Sequence, residues 1–228
     1  MGDIKPIAAV LFDMDGLMFD TERLILRSWQ RAMIDFGYQP SEEVFLRSVG
    51  RTIAATNQIL RVAYGPDFPL GSTNARTGEY VWQEVDASGA PIKPGLLALL
   101  DFLEARGLPR AVASSSERAS IERLLDSVHL QPRFAAIAAG DEVAQGKPAP
   151  DIFLLAASRL GVDPAHCLVL EDSEAGARAA HAAGMAALIV PDLILPSAEV
   201  AALAAAVLPD LHAVRDWLAQ RLPVLLEG

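Results

Sequence analysis

Five short apolar runs punctuate the chain: AAVLFD (Ala8–Asp13), PRAVASS (Pro109–Ser115), FAAIAAG (Phe134–Gly140), CLVLED (Cys167–Asp172) and AALIV (Ala186–Val190). Each is nearly continuous in apolarity, as expected for a strand covered on both faces. Between them lie helical patterns with clear ends. Leu96–Arg106 stops at Gly107, Ile152–Leu160 at Gly161 and Ser173–Ala183 at Gly184, each glycine standing where a helix takes its C′ residue. This alternation of strand and helix predicts an α/β fold built on a doubly wound parallel sheet.

Residues Thr21 to about Pro91 break the rhythm. The stretch TERLILRSWQRAMIDFG repeats its apolar positions with a helical period and no convincing strand follows. A small α-helical domain is therefore predicted over residues 17–91, inserted into an α/β domain formed by 1–16 and 92–228. Pro91 and Pro94 in PIKPGL mark the return, and YGPDFPLGS (Tyr64–Ser72) reads as a loop within the insertion. Trp29 and Met33 stand at i, i+4, which predicts packing inside the helical domain. Near the C-terminus, EVAALAAAV reads as an ordinary packed helix.

With 228 residues, 52% of them hydrophobic, the chain can bury a substantial core. No apolar run approaches the roughly 20 residues that span a bilayer. The start MGDIKPIAAV lacks the basic-then-apolar layout of a signal peptide, so a soluble, cytoplasmic protein without a membrane partner is expected. The single cysteine, Cys167, excludes an internal disulfide and reads as a buried, inert thiol. Nineteen basic against 29 acidic residues give a net charge of −10, which repels nucleic acid and favours a small substrate; a monomer is consistent with all of this. If that substrate is an anion, its site needs local positive charge from a metal, a lysine or oriented N–H groups.

In open α/β sheets ligands bind beyond the carboxyl ends of the strands, where the strand order reverses. The first run ends in Asp13-Met14-Asp15-Gly16, the second in Ser114-Ser115-Ser116 and the fourth in Glu171-Asp172, while Lys147 lies in GKPAPD. Carboxylates converging on one sheet edge repel by about 4 kcal/mol per pair at 4 Å and an effective dielectric of 20, so the cluster calls for a cation. All-oxygen ligands favour a hard ion, Mg²⁺ first. Magnesium in turn favours phosphate, and the Ser114 and Ser115 hydroxyl and N–H groups with Lys147 would cradle one. In such a site Asp13 would attack phosphorus, and Asp15, swung away by a turn at Gly16, would handle the protons.

These residues resemble the motifs of the haloacid dehalogenase superfamily, β-phosphoglucomutase-like branch. FDMDG is similar to the first motif, the strand-end serine of VASSS to the second, the lysine of GKPAPDIF to the third and LEDSEAGARAA to the fourth. The resemblance implies a Rossmann-like core with a helical cap, Asp13 as nucleophile, Asp15 as acid/base, and Ser114 and Lys147 holding the transferring phosphoryl. It also implies Mg²⁺ bound by Asp13, the Asp15 carbonyl and Asp172, with Glu171 beside them. Arg51 and Arg76 in the insertion are candidate substrate-binding cations. The cap is expected to open and close over the site, with hinges near Gly16–Asp20 and Ile92–Gly95.

Taken singly, each motif has a plainer reading. DMDG can be a capped turn, SSSERAS a helix start with Ser116 as its cap, Lys147 a solvated lysine and Glu171-Asp172 a strand-end cap. Their joint placement at successive strand ends outweighs those readings. His129, His166, His181 and His212 all lie outside the insertion and read as surface or packing residues.

The only lysines are Lys5, Lys93 and Lys147, so the insertion cannot supply the Schiff-base lysine of a phosphonate-cleaving enzyme. A haloacid dehalogenase would need neither the second aspartate nor a metal. The insertion also has no histidine, whereas the sugar-phosphate mutases of this branch carry one on the first cap helix. Hydrolysis of a small phosphomonoester, a sugar phosphate or nucleotide-like metabolite, is therefore expected, and DGLMFDTE is similar to phosphatases acting on pseudouridine 5′-phosphate and hexose phosphates. A β-phosphoglucomutase-type mutase is the alternative, and a non-catalytic protein that binds a phosphorylated ligand is the second.

Overall fold

The computed structural model describes residues 5–49 and 53–222. Among them six strands form one parallel sheet: β1 Ala9–Phe12, β2 Arg110–Ala113, β3 Ala136–Ala138, β4 Cys167–Glu171, β5 Ala186–Ile189 and β6 Ala206–Val207. Their order is β3-β2-β1-β4-β5-β6. The chain winds outward from β1 to β3, crosses back, and winds outward again from β4. The reversal point of this α/β fold therefore lies between β1 and β4, where Phe12 pairs with Leu170 and the Asp13 N–H donates to the Leu170 carbonyl at 3.0 Å.

The chain divides into two compact units, Met1–Phe19 with Ile92–Gly228, and Asp20–Pro91. The first holds the sheet. Its helices are α5 (Leu96–Glu104), α6 (Arg118–Ser127), α7 (Asp151–Leu160), α8 (Glu174–Ala182), α9 (Ala198–Ala201) and α10 (Leu211–Ala219), numbered after the four helices of the second unit. All four residues of β1 are fully buried, and small residues dominate the layer under the sheet, where Ala156 and Ala157 of α7 and Ala179 and Ala180 of α8 meet Leu11 and Val169. Small side chains let these helices sit close to the strands, so the strand ends are held rigidly. Cys167 is 2% exposed and burial pushes its thiol up to about 11, which makes it unreactive.

The second unit is helical: α1 Thr21–Asp35, α2 Glu42–Ser48, α3 Ile53–Tyr64 and α4 Leu70–Ser88. Its core is Trp29, Met33, Phe45, Leu60 and Phe68, with Tyr38 set edge-on to Phe68 at 5.0 Å. Trp29 and Met33 are buried as their spacing predicts. Helix α4 starts at Leu70, within the segment read as loop, directly after Pro69 at the cap position.

Two further details differ from the sequence reading. The first passage between the units lies at Phe19/Asp20, and the fully buried Leu17, Met18 and Phe19 belong to the α/β unit. There the Met18 and Phe19 N–H groups both donate to the Met14 carbonyl, and Phe19 bridges to Ile92. In EVAALAAAV the helix stops after Ala201, and Ala206–Val207 adds a sixth strand beside β5. Alanines offer a helix little to bury, whereas the β5 edge offers unpaired backbone groups, and the Ala205 N–H donates to the Ala187 carbonyl at 2.8 Å. No helix of the described residues is long and apolar enough to cross a membrane.

Leu170 is fully buried in the sheet between β1 and β5. Leu170→Ala is expected to lower the unfolding free energy by about 2–5 kcal/mol, the range for a cavity in a rigid core. Urea unfolding measures this, and a loss below about 1 kcal/mol would show that the strand layer relaxes around the gap.

Candidate active site

Asp13 follows β1 directly and is 7% exposed. Its Oδ1 accepts from Lys147 Nζ, whose side chain is 6% exposed. The same ammonium donates to Glu171 Oε1 at 2.5 Å and to the Ala113 carbonyl at 3.1 Å. Lys147 thus ties together the ends of β1, β2 and β4. Burial by itself would discharge this lysine, but the Asp13 and Glu171 carboxylates more than offset that and hold its pKa above the usual value.

Glu171 is completely buried. Its Oε2 accepts from the Asp172 and Ser173 N–H groups at 3.1 Å each and from the Ser173 hydroxyl at 2.9 Å. Ser173 also caps α8 by accepting from the Gly176 N–H. A Cβ on Gly176 would stand 1.8 Å from Glu171 Oε1, so a glycine is required for the carboxylate to sit against the helix start. Glu171 therefore acts as a saturated anchor for Lys147.

Asp13, Glu171 and Asp172 bring oxygen atoms within 4.8 Å of one another. Burial pushes the Asp13 carboxyl up to about 8, with Lys147 opposing and Glu171 adding to the rise. Asp172 goes to about 9, first through burial and then through the charges of Asp13 and Glu171, with Asp192 contributing further. Too little positive charge is present for this many carboxylates, and the donor set consists of hard oxygen atoms. Gly16, at φ +79°, leaves the space beside them open, since a Cβ there would lie 2.1 Å from Asp172 Oδ2. The arrangement fits a small hard cation such as Mg²⁺.

The Asp15 carboxylate does not join this cluster. The turn at Gly16, closed by its N–H on the Phe19 carbonyl at 2.9 Å, sends the Asp15 side chain elsewhere, and its Oδ2 accepts from the Ser116 hydroxyl at 2.8 Å. Ser116 was read above as a helix cap. In the structure Glu117 occupies the cap position of α6 without a side-chain cap bond, leaving the Ser116 hydroxyl for Asp15. Ser114 is buried, and its Oγ accepts from the Ser116 N–H at 3.1 Å; Ser115 is exposed beside it.

Arg76 lies in the helical unit, on α4. Its guanidinium pairs with Glu79 at 2.8 Å and with Asp35 at 3.6 Å. Arg51 lies outside the described residues.

A profile of haloacid dehalogenase-like hydrolases matches residues 7–184. The chain belongs to this family. It is 36% identical over 196 residues to the protein CbbY of Rhodobacter capsulatus, covering 81% of this chain and 86% of that one. It is 34% identical over 186 residues to the fructose-1-phosphate phosphatase YqaB of Escherichia coli strain K12, covering 80% and 96%. A haloacid dehalogenase family hydrolase from Deinococcus radiodurans R1, solved with bound phosphate and sodium, superposes with a TM-score of 0.78 at 30% identity, covering 96% of this chain and 97% of that one. The four segments quoted above all lie within the matched residues.

The raised carboxyls have a consequence for stability. Both native values lie above the 3.8 of an unperturbed aspartate, so between about pH 4 and 9 the metal-free native state holds more protons than the unfolded chain. Metal-free stability should fall as pH rises through that window. A hard cation held there would compete with the protons, so added Mg²⁺ should raise the thermal midpoint clearly at pH 8 and little at pH 4.5. Equal shifts at both pH values, read by differential scanning calorimetry, would contradict this account of the cluster.

Proposed function

We propose that this chain is a Mg²⁺-dependent phosphatase of small phosphomonoesters, sugar phosphates foremost, working through an aspartyl-phosphate. The observation that carries the reading is the division of labour between two aspartates one residue apart. Asp13 lies in the acidic cluster against Lys147, while Asp15 is turned out of it and held by Ser116. The fructose-1-phosphate phosphatase activity of the Escherichia coli relative and the phosphate bound by the Deinococcus structure support the same chemistry.

Asp13, Asp172 and the Asp15 carbonyl would hold the ion, which when bound neutralises the cluster and draws charge from the phosphoryl oxygens. Lys147 and the Ser114 hydroxyl would orient the phosphoryl group, the Ser114 N–H being donated to the Ala138 carbonyl at 3.1 Å. An Asp13 oxygen bonds to phosphorus as the bond to the ester oxygen breaks, and Asp15 passes its proton to that oxygen. Asp15, now ionised, takes a proton from water. The resulting hydroxide attacks phosphorus, the bond to Asp13 breaks, and phosphate leaves. Water is the acceptor because residues 17–91 contain no histidine to activate a second substrate hydroxyl. The insertion would serve as the cap, with Arg51 and Arg76 as its candidate substrate cations.

Phosphate release from p-nitrophenyl phosphate and a sugar-phosphate panel tests this. Asp13→Asn should lose at least about a thousandfold in kcat/KM, the scale for removing a covalent nucleophile. Parental activity in that variant would refute the aspartyl-phosphate, and conversion of β-glucose 1-phosphate to the 6-phosphate with little free phosphate would favour the mutase. Ser116→Ala should lower kcat by about tenfold with a smaller change in KM, since it frees the proton carrier without touching the nucleophile. An unchanged kcat would show that Asp15 needs no such support.

A further inference from the structure

Lys93, one of three lysines in the chain, is not used by the chemistry above. It sits where the chain re-enters the α/β unit, its N–H donating to the Met18 carbonyl at 2.9 Å. Its ammonium pairs with Asp192 Oδ1 at 2.7 Å, the side chains being 16% and 2% exposed. Asp192 follows β5. A Cβ placed on Gly16 would meet the Asp172 carboxylate at 2.1 Å and the Asp192 Cβ at 3.6 Å, so the two acids crowd the same position. The pair is thus part-buried beside the acidic cluster, where charge interactions are less screened than in open solvent.

We propose that Lys93 and Asp192 form a positioning pair that sets the cation affinity of the Asp13–Asp172 cluster. Asp192 adds negative potential at the open side of Asp172, and Lys93 limits it while tying the returning chain to the loop after β5. The pair acts through the field at Asp172 and through the shape of the Gly16 turn. This inference rests on the reading of the cluster as a Mg²⁺ site.

The sign of the effect separates this role from a structural one. In Asp192→Asn the Lys93 ammonium faces the cluster without its counter-charge, and Mg²⁺ affinity should fall about tenfold. In Lys93→Met the Asp192 carboxylate loses the lysine's counter-charge, and affinity should rise several-fold. The Lys93→Met/Asp192→Asn double variant removes both charges and should return to within about twofold of the parent. Isothermal titration of each folded, full-length protein with Mg²⁺ alone, with folding checked by circular dichroism, reads all four. Should Lys93→Met not fold, Asp192→Asn and the double variant still decide the matter. Unchanged affinity across the folded variants, with only thermal midpoints shifted, overturns the proposal and leaves the Mg²⁺ site intact. A parent protein that binds no Mg²⁺ overturns the site reading and this proposal with it.

Discussion

The crowding of carboxylates between β1 and β4 is the constraint on which the rest of this molecule turns. Asp13, Glu171 and Asp172 could not remain charged together in a buried sheet edge without compensation. The fold supplies part of it through Lys147, whose ammonium reaches Asp13, Glu171 and a β2 carbonyl at once. In the proposed reading, a cation and substrate would supply the remainder.

Compensation of this kind requires exact placement of short elements. The central strands are buried on both faces, and alanine-rich helices approach them closely, so the strand ends have little freedom. Two glycines then permit contacts that any side chain would block, Gly16 against Asp172 and Gly176 against Glu171. The same turn at Gly16 separates the functions of neighbouring aspartates. Without it the side chains of Asp13 and Asp15 would share one electrostatic environment.

The motifs were legible because each sits at the end of an apolar run, where chemistry and strand periodicity coincide. Ser116 escaped this logic. A serine ahead of a helix is read as a cap, since local hydrogen bonding is all that sequence shows, whereas its actual partner is Asp15, far away in the chain. The sixth strand escaped for a related reason. An alanine-rich stretch has no periodicity of its own to declare a strand, and it became one only because β5 presented an open edge.

The alternation of strands and helices, the helical insertion and the acids at strand ends follow from the sequence alone, because burial and period are local properties. It took the tertiary structure to bring Glu171 to Lys147, Asp15 to Ser116, and Lys93 to Asp192 beside Asp172. Those pairings join residues brought together by parallel crossovers. Their energies depend on distance and burial, which no stretch of sequence carries.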